Sequence, residues 1–119
     1  MIDFLQRLAS PKPILLDGPV GTELDRRGVD TSLPLWSARA LLDAPEVLRQ
    51  IYRDYREAGA EVLTANTFRT HARNLAPAEL DREAASLTLE AVEIAREVAA
   101  SADVWVAGSQ APLEDCYEP

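Results

Sequence analysis

His71 and Cys116 are the one histidine and the one cysteine of this 119-residue chain, so they are the first residues to test for metal chemistry. Zinc sites assemble three or four such ligands, usually with short characteristic spacings. One imidazole and one thiol far apart in sequence do not make that pattern. The run Gly18-Pro19-Val20-Gly21-Thr22-Glu23 has glycines but lacks the lysine of a phosphate-cradling loop, which argues against nucleotide phosphates. What remains is three polar or glycine-rich segments, each directly after a short apolar run. Asp17-Gly18 follows Ile14-Leu15-Leu16, Asn66-Thr67-Phe68 follows Val62-Leu63-Thr64-Ala65, and Gly108-Ser109-Gln110 follows Val104-Trp105-Val106-Ala107. In parallel α/β sheets function collects just beyond the carboxyl ends of the strands. The three segments therefore define one candidate active face.

The elements that must hold this face follow from the hydrophobic period. The three apolar runs read as short buried strands. Between the first two, residues 17–35 contain Gly18, Pro19, Gly21, Gly28 and Pro34 and read mostly as loop, with one helical turn at Thr22 to Arg27. A helix is expected from Asp43, as N-cap, with Pro45 just inside it and Gly59 past its end. Val47, Leu48, Ile51, Tyr55 and Ala58 form its apolar stripe. A second, longer helix is expected from about Pro77 to Ala100, with Leu80, Ala84, Leu87, Ala91, Ile94 and Val98 inward. Its glutamates read as a solvated face. Strands alternating with helices give an α/β fold of βα units with a parallel sheet, in one domain over residues 1–119.

Composition excludes several function classes. Twelve Lys+Arg against twenty Asp+Glu give a net charge of −8, and Arg26-Arg27 is the nearest approach to a basic cluster. No phosphate-backbone footprint exists, so no nucleic-acid partner is expected. Hydrophobic residues make up 47%, enough for a folded core and too many for a disordered chain. No run is long and apolar enough for a membrane span, and residues 1–10 lack the pattern of a signal peptide. A single cysteine cannot form an internal disulfide, which fits a reducing cytoplasm.

Three motifs together carry a family resemblance: Asp17-Gly-Pro-Val-Gly-Thr-Glu-Leu24, Pro34-Leu-Trp-Ser-Ala38, and Ala58-Gly-Ala-Glu-Val-Leu-Thr-Ala-Asn-Thr-Phe68. In order and spacing they resemble the homocysteine S-methyltransferases, a family that includes betaine-, S-methylmethionine- and cobalamin-dependent enzymes. The likeness runs from about residue 12 to the last residue. It implies a (β/α)₈ TIM barrel, of which this chain is an N-terminal portion of about three βα units. It also implies a reaction in which a zinc-bound homocysteine thiolate attacks a methyl donor to form methionine; binding to the metal deprotonates the thiol and orients it. The partners so implied are homocysteine and the methyl donor.

By the same resemblance Asp17 helps hold the amino-acid part of homocysteine, with Gly18 letting the ligand approach the backbone. Trp36 walls the pocket, and Asn66, Thr67 and Phe68 continue it. Two of them have a plainer alternative: Asp17 as a loop or helix cap, Trp36 as a core anchor under a long loop. Arg69 stands where some betaine-dependent members carry a tyrosine near the metal, which argues against that subtype. The family's zinc is held by three cysteines from later strands, and Cys116 matches none of them. Zinc therefore belongs to the complete family enzyme, and no metal ligand or cofactor is expected for this chain alone. The ending Tyr117-Glu118-Pro119 resembles the middle of a loop, so a truncated enzyme is the expectation. A non-catalytic partial barrel, kept as a binding or assembly module or as a remnant, is the alternative. With strand edges unpaired, the chain is expected to self-associate or to be complemented by the rest of a barrel.

Overall fold

The computed structural model describes residues 2–100, 103–113 and 116–117. Met1, Glu118 and Pro119, which enter the expectations about the leader and the ending, lie outside the described residues.

The amphipathic stripe centred on Ile51 forms its helix as expected, α4 in the numbering used here (Pro45–Glu57). Before it come α1 (Phe4–Leu8), α2 (Val20–Arg26), a 3-10 turn at Trp36–Ala38 and α3 (Arg39–Asp43). Asp43 is thus the last residue of α3 and not the cap of α4. Ala44, at φ −148°, breaks the chain there, because a residue preceding proline is pushed out of the helical region. Leu48, Ile51 and Tyr52 are fully buried along α4, and Gly59 at φ 106° terminates it.

The strand after α4 is β1 (Val62–Thr64), and the last strand is β2 (Trp105–Ala107). They pair in parallel, Val62 opposite Trp105, Leu63 opposite Val106 and Thr64 opposite Ala107. The first predicted strand is reduced to a single parallel bridge, Leu16 to Val62. Its flanking backbone bonds run from the Glu61 N–H to the Leu15 carbonyl (2.7 Å) and from the Asp17 N–H to the Val62 carbonyl (3.0 Å). The fold is therefore α/β with a parallel two-stranded sheet and a third extended segment on the free side of β1. The run 14–16 makes no longer ladder because the Thr64 N–H on β1 goes to the Asp17 carboxylate (2.7 Å) instead of to a backbone carbonyl.

The predicted long helix is shorter than its periodicity suggests. After α5 (Ala72–Leu75), two 3-10 turns occupy Ala76–Ala78 and Asp81–Glu83, and α6 runs only over Ala84–Ala100. Glu79 sits in the left-handed region at φ 59°, which no α-helix tolerates. Leu80 and Ala84 still pack on the core, so the apolar spacing persists across the break.

The main core lies between α4, α6 and the sheet, around Tyr52, Leu63, Leu75, Ala91 and Ile94. A smaller cluster of Leu24, Ala40 and Ile51 joins α2 and α3 to the other side of α4. The Arg49 guanidinium on α4 bonds the Glu97 carboxylate on α6 (3.0 Å). Among the described residues no helix is long and apolar enough to cross a membrane.

Candidate active site at the strand ends

A cavity of about 620 Å³ opens where the three extended segments end. Asp17, Gly18, Trp36, Asn66 and Phe68 all line it, so five of the six sequence-predicted residues converge on one space. Thr67, the sixth, does not line it. Its hydroxyl instead donates to the Ser109 carbonyl (2.6 Å) and accepts the Ser109 N–H (3.0 Å). That clasp ties the loop after β1 to the loop after β2.

Asp17 has a defined structural task. Thr64, the last residue of β1, donates its N–H to Oδ2 (2.7 Å) and its hydroxyl to Oδ1 (2.9 Å). The side chain thus stands in for a missing strand partner at the end of β1. Each carboxylate oxygen has a second acceptor direction, so charge and lone pairs remain available on the cavity wall. Tyr52 donates its phenol to the Thr64 carbonyl (2.8 Å) from beneath. Burial, and secondarily the negative charge of Asp17, push the Tyr52 phenol well above its ordinary value, so it stays a donor.

Gly18 is small for a reason inside the protein. A Cβ there would lie 2.6 Å from the Tyr55 hydroxyl, which itself donates to the Pro19 carbonyl (3.0 Å). Asn66 is 4% exposed and donates its amide to the Ser37 carbonyl (2.8 Å), fixing the turn that carries Trp36. Trp36 has φ 50°, an uncommon conformation for a bulky side chain. Its ring is stacked by Tyr117 (5.9 Å between centroids) and faced by the Arg69 guanidinium at 4.7 Å, while its buried Nε1 has no partner among the described residues. Trp36 is therefore both a cavity wall and a packed anchor.

Thr22, Asp25, Thr31, Ser37 and Tyr117, which sequence patterning does not single out, complete much of the lining. Thr22 and Ser37 lie inside two of the three family motifs, whereas Asp25 and Thr31 lie in the polar stretch between them, where the local sequence gives no signal. Nothing in the local sequence marks Tyr117.

The family model described as homocysteine S-methyltransferase matches residues 14–119. The chain belongs to the homocysteine S-methyltransferase family. Among similar members, a selenocysteine methyltransferase of Astragalus bisulcatus is 38% identical over 96 residues, covering 80% of this chain and 28% of that protein. The homocysteine S-methyltransferase of Escherichia coli (strain K12) is 35% identical over 85 residues, covering 71% and 27%. The crystal structure of the E. coli homocysteine methyltransferase MmuM in its metallated form superposes with a TM-score of 0.79 at 33% identity, over 91% of this chain and 41% of that one. The chain thus spans well under half the length of these family members.

The donor set can be tested against the metal that the family resemblance implies. The cavity lining offers carboxylates from Asp17 and Asp25 but no thiol or imidazole. Among the described residues no group of three His, Cys, Asp or Glu could hold an ion. Cys116 accepts from Arg69 (3.6 Å) outside that lining. The described residues do not fit a zinc–thiolate site, so no chemical step is derived through a metal.

Proposed function

We propose that this chain forms the N-terminal, substrate-holding part of a homocysteine S-methyltransferase barrel, its three extended segments being the first three strands of eight. The observation that carries the reading is the convergence of Asp17, Trp36, Asn66 and Phe68 on one cavity beyond parallel strand ends, in a chain of this family. The occupant proposed is the methyl acceptor, an α-amino acid bearing a nucleophilic sulfur. Asp17, with Asp25 nearby in the lining, supplies negative charge for the α-ammonium. Trp36 and Phe68 supply apolar walls for the side chain. In the proposed reaction the acceptor sulfur forms a bond to the donor's methyl carbon as the donor's own bond to that carbon breaks. Activation of the sulfur by zinc is assigned to the complete enzyme. Such chemistry suits a reducing, cytoplasmic setting.

Titration calorimetry with homocysteine, and in parallel with selenocysteine, tests the acceptor site. Asp17→Asn removes one charge-assisted interaction, so affinity should fall about ten- to a hundredfold. Thr64→Val loosens the carboxylate but keeps its charge, and should weaken binding less. Unchanged affinity with a lowered Tm in Asp17→Asn would assign Asp17 to the Thr64 staple alone. The isolated chain mixed with homocysteine, zinc and S-methylmethionine should produce no methionine, and turnover surviving Cys116→Ser would overturn that expectation.

A further inference from the structure

A second cavity of about 440 Å³ lies beside the first, bounded by Leu33, Pro34, Arg69, His71, Asn74 and Pro77, among others. We infer that it is a binding site for a small oxyanion, the carboxylate or phosphate group of a metabolite-sized molecule. The inference is independent of the homocysteine reading, because it concerns a different cavity.

Arg69 is only 6% exposed, and its buried Nε has no hydrogen-bond partner among the described residues. Its other neighbours are the Cys116 sulfur at 3.6 Å and the rings of Trp36 (4.7 Å) and Phe68 (5.2 Å). Rings and a thiol are weak company for a buried guanidinium, since neither carries the full negative charge that burial demands. Among the described residues no carboxylate stands within ion-pair distance of it.

His71 adds a second unused donor. Its Nδ1 accepts the Asn74 N–H (3.3 Å), which leaves the ring proton on Nε2. That Nε2 is buried and also without a partner among the described residues. The Asn74 side chain donates to the Arg69 carbonyl (2.8 Å) and holds the two residues in register. Arg69 and His71 both line this cavity, and each carries a buried N–H that has no partner among the described residues, one of them on a formally charged group. A metal cation is excluded as occupant: guanidinium has no lone pair to offer, and the imidazole's only lone pair is engaged. An oxyanion seated there offsets the guanidinium charge, and both N–H groups reach it once the side chains that cover them shift. The apolar walls from Leu33, Pro34 and Pro77 limit its attached body to a small, weakly polar one.

His71 is the only histidine, so its ring-proton NMR signals form an isolated probe. Inorganic phosphate and acetate are titrated separately into the full chain at fixed pH and ionic strength, with chloride as the control. A saturable shift is expected for at least one of them, with Kd in the millimolar range or tighter. Phosphate saturating first indicates a phosphorylated ligand, and acetate first indicates a carboxylic acid. Arg69→Gln should weaken the saturating anion at least tenfold. Because that variant removes a buried side chain, Leu33→Glu is the second arm. Leu33 is 71% exposed, so its replacement spares the fold while setting a negative charge on the cavity wall. It should weaken binding at least threefold. Shifts no different from chloride for both anions, or a Kd unchanged in Leu33→Glu, would overturn the site.

Discussion

At the scale of single residues, the cavity wall is built from side chains that each hold the protein together while facing its interior space. Asp17 staples the end of β1 through Thr64, and Gly18 leaves room for the Tyr55 hydroxyl 2.6 Å from where a Cβ would be. Gly18→Ala should therefore lower stability by about 1–3 kcal/mol through overpacking. The double variant Gly18→Ala/Tyr55→Phe should recover part of that loss, a coupling that urea denaturation can measure. If the two changes are simply additive, Tyr55 is not what Gly18 accommodates. Asp17, Trp36, Asn66 and Phe68 were legible in the sequence because each follows an apolar run or sits in a motif in register with others. The Tyr55 hydroxyl was not, since on the α4 stripe it counts only as another core aromatic. Its reach to the Pro19 carbonyl depends on how α4 docks against the loop after the first strand.

At the scale of elements, α1 shows how a short helix with no buried residue is retained. The Arg7 guanidinium donates twice to Glu61 (2.7 and 2.8 Å) and once each to the Lys12 and Pro13 carbonyls (2.9 and 2.8 Å). Phe4 meets Trp105 of β2 edge-on at 5.4 Å. The hydrogen bonds from Arg7, with its charge, hold the Glu61 carboxyl below the usual carboxylate range and raise Arg7. A carboxyl depressed in the folded state contributes stability that is present above its ordinary pKa and lost as pH falls through the lower folded value. On acidification below about pH 4 α1 should detach, seen as a change in Trp105 fluorescence against a Trp36→Phe background. Glu61→Gln should leave that signal flat with pH, and an acid transition unaltered in this variant would mean that another group anchors α1. The element pattern itself was mostly readable: α4, β1 and β2 fall where period and glycines predict. The 3-10 turns before α6 were hidden because Leu80 and Ala84 keep helical spacing across a left-handed Glu79, and apolar spacing alone does not register a backbone break.

At the scale of the whole molecule, the surface is larger than the chain length warrants. Its accessible area is 7245 Å², against about 6,400 Å² for a compact monomer of this mass. The radius of gyration is 14.8 Å, against about 13.5 Å. Leu15 and Leu16, on the reduced first strand, are 53% and 62% exposed. Such apolar exposure at a strand with a free edge favours association. In keeping with the proposed partial barrel, light scattering at micromolar concentration should give a mass above 13.1 kDa, and Leu16→Lys should lower it. A monodisperse monomer unfolding cooperatively would show that α4, α6 and two strands close a core unaided.

The Thr67–Ser109 clasp has a consequence for motion. One hydroxyl, used as donor and acceptor at once, joins loops that the chain separates by all of α5 and α6. The Ser109 amide lies beyond β2, where no ladder bond protects it, so its proton exchanges with solvent only when the clasp opens. The Ala65 amide, bonded to the Ala107 carbonyl at 2.8 Å, marks the adjoining end of the sheet. If the clasp is the latch of that end, Thr67→Val should speed deuterium uptake at Ser109 about fivefold or more, the equivalent of one lost hydrogen bond. Ala65 should quicken with it, while amides in the middle of α6 keep their original rate. The cavity wall at Ser109 would then open as one unit, at a frequency set by a side chain outside the lining.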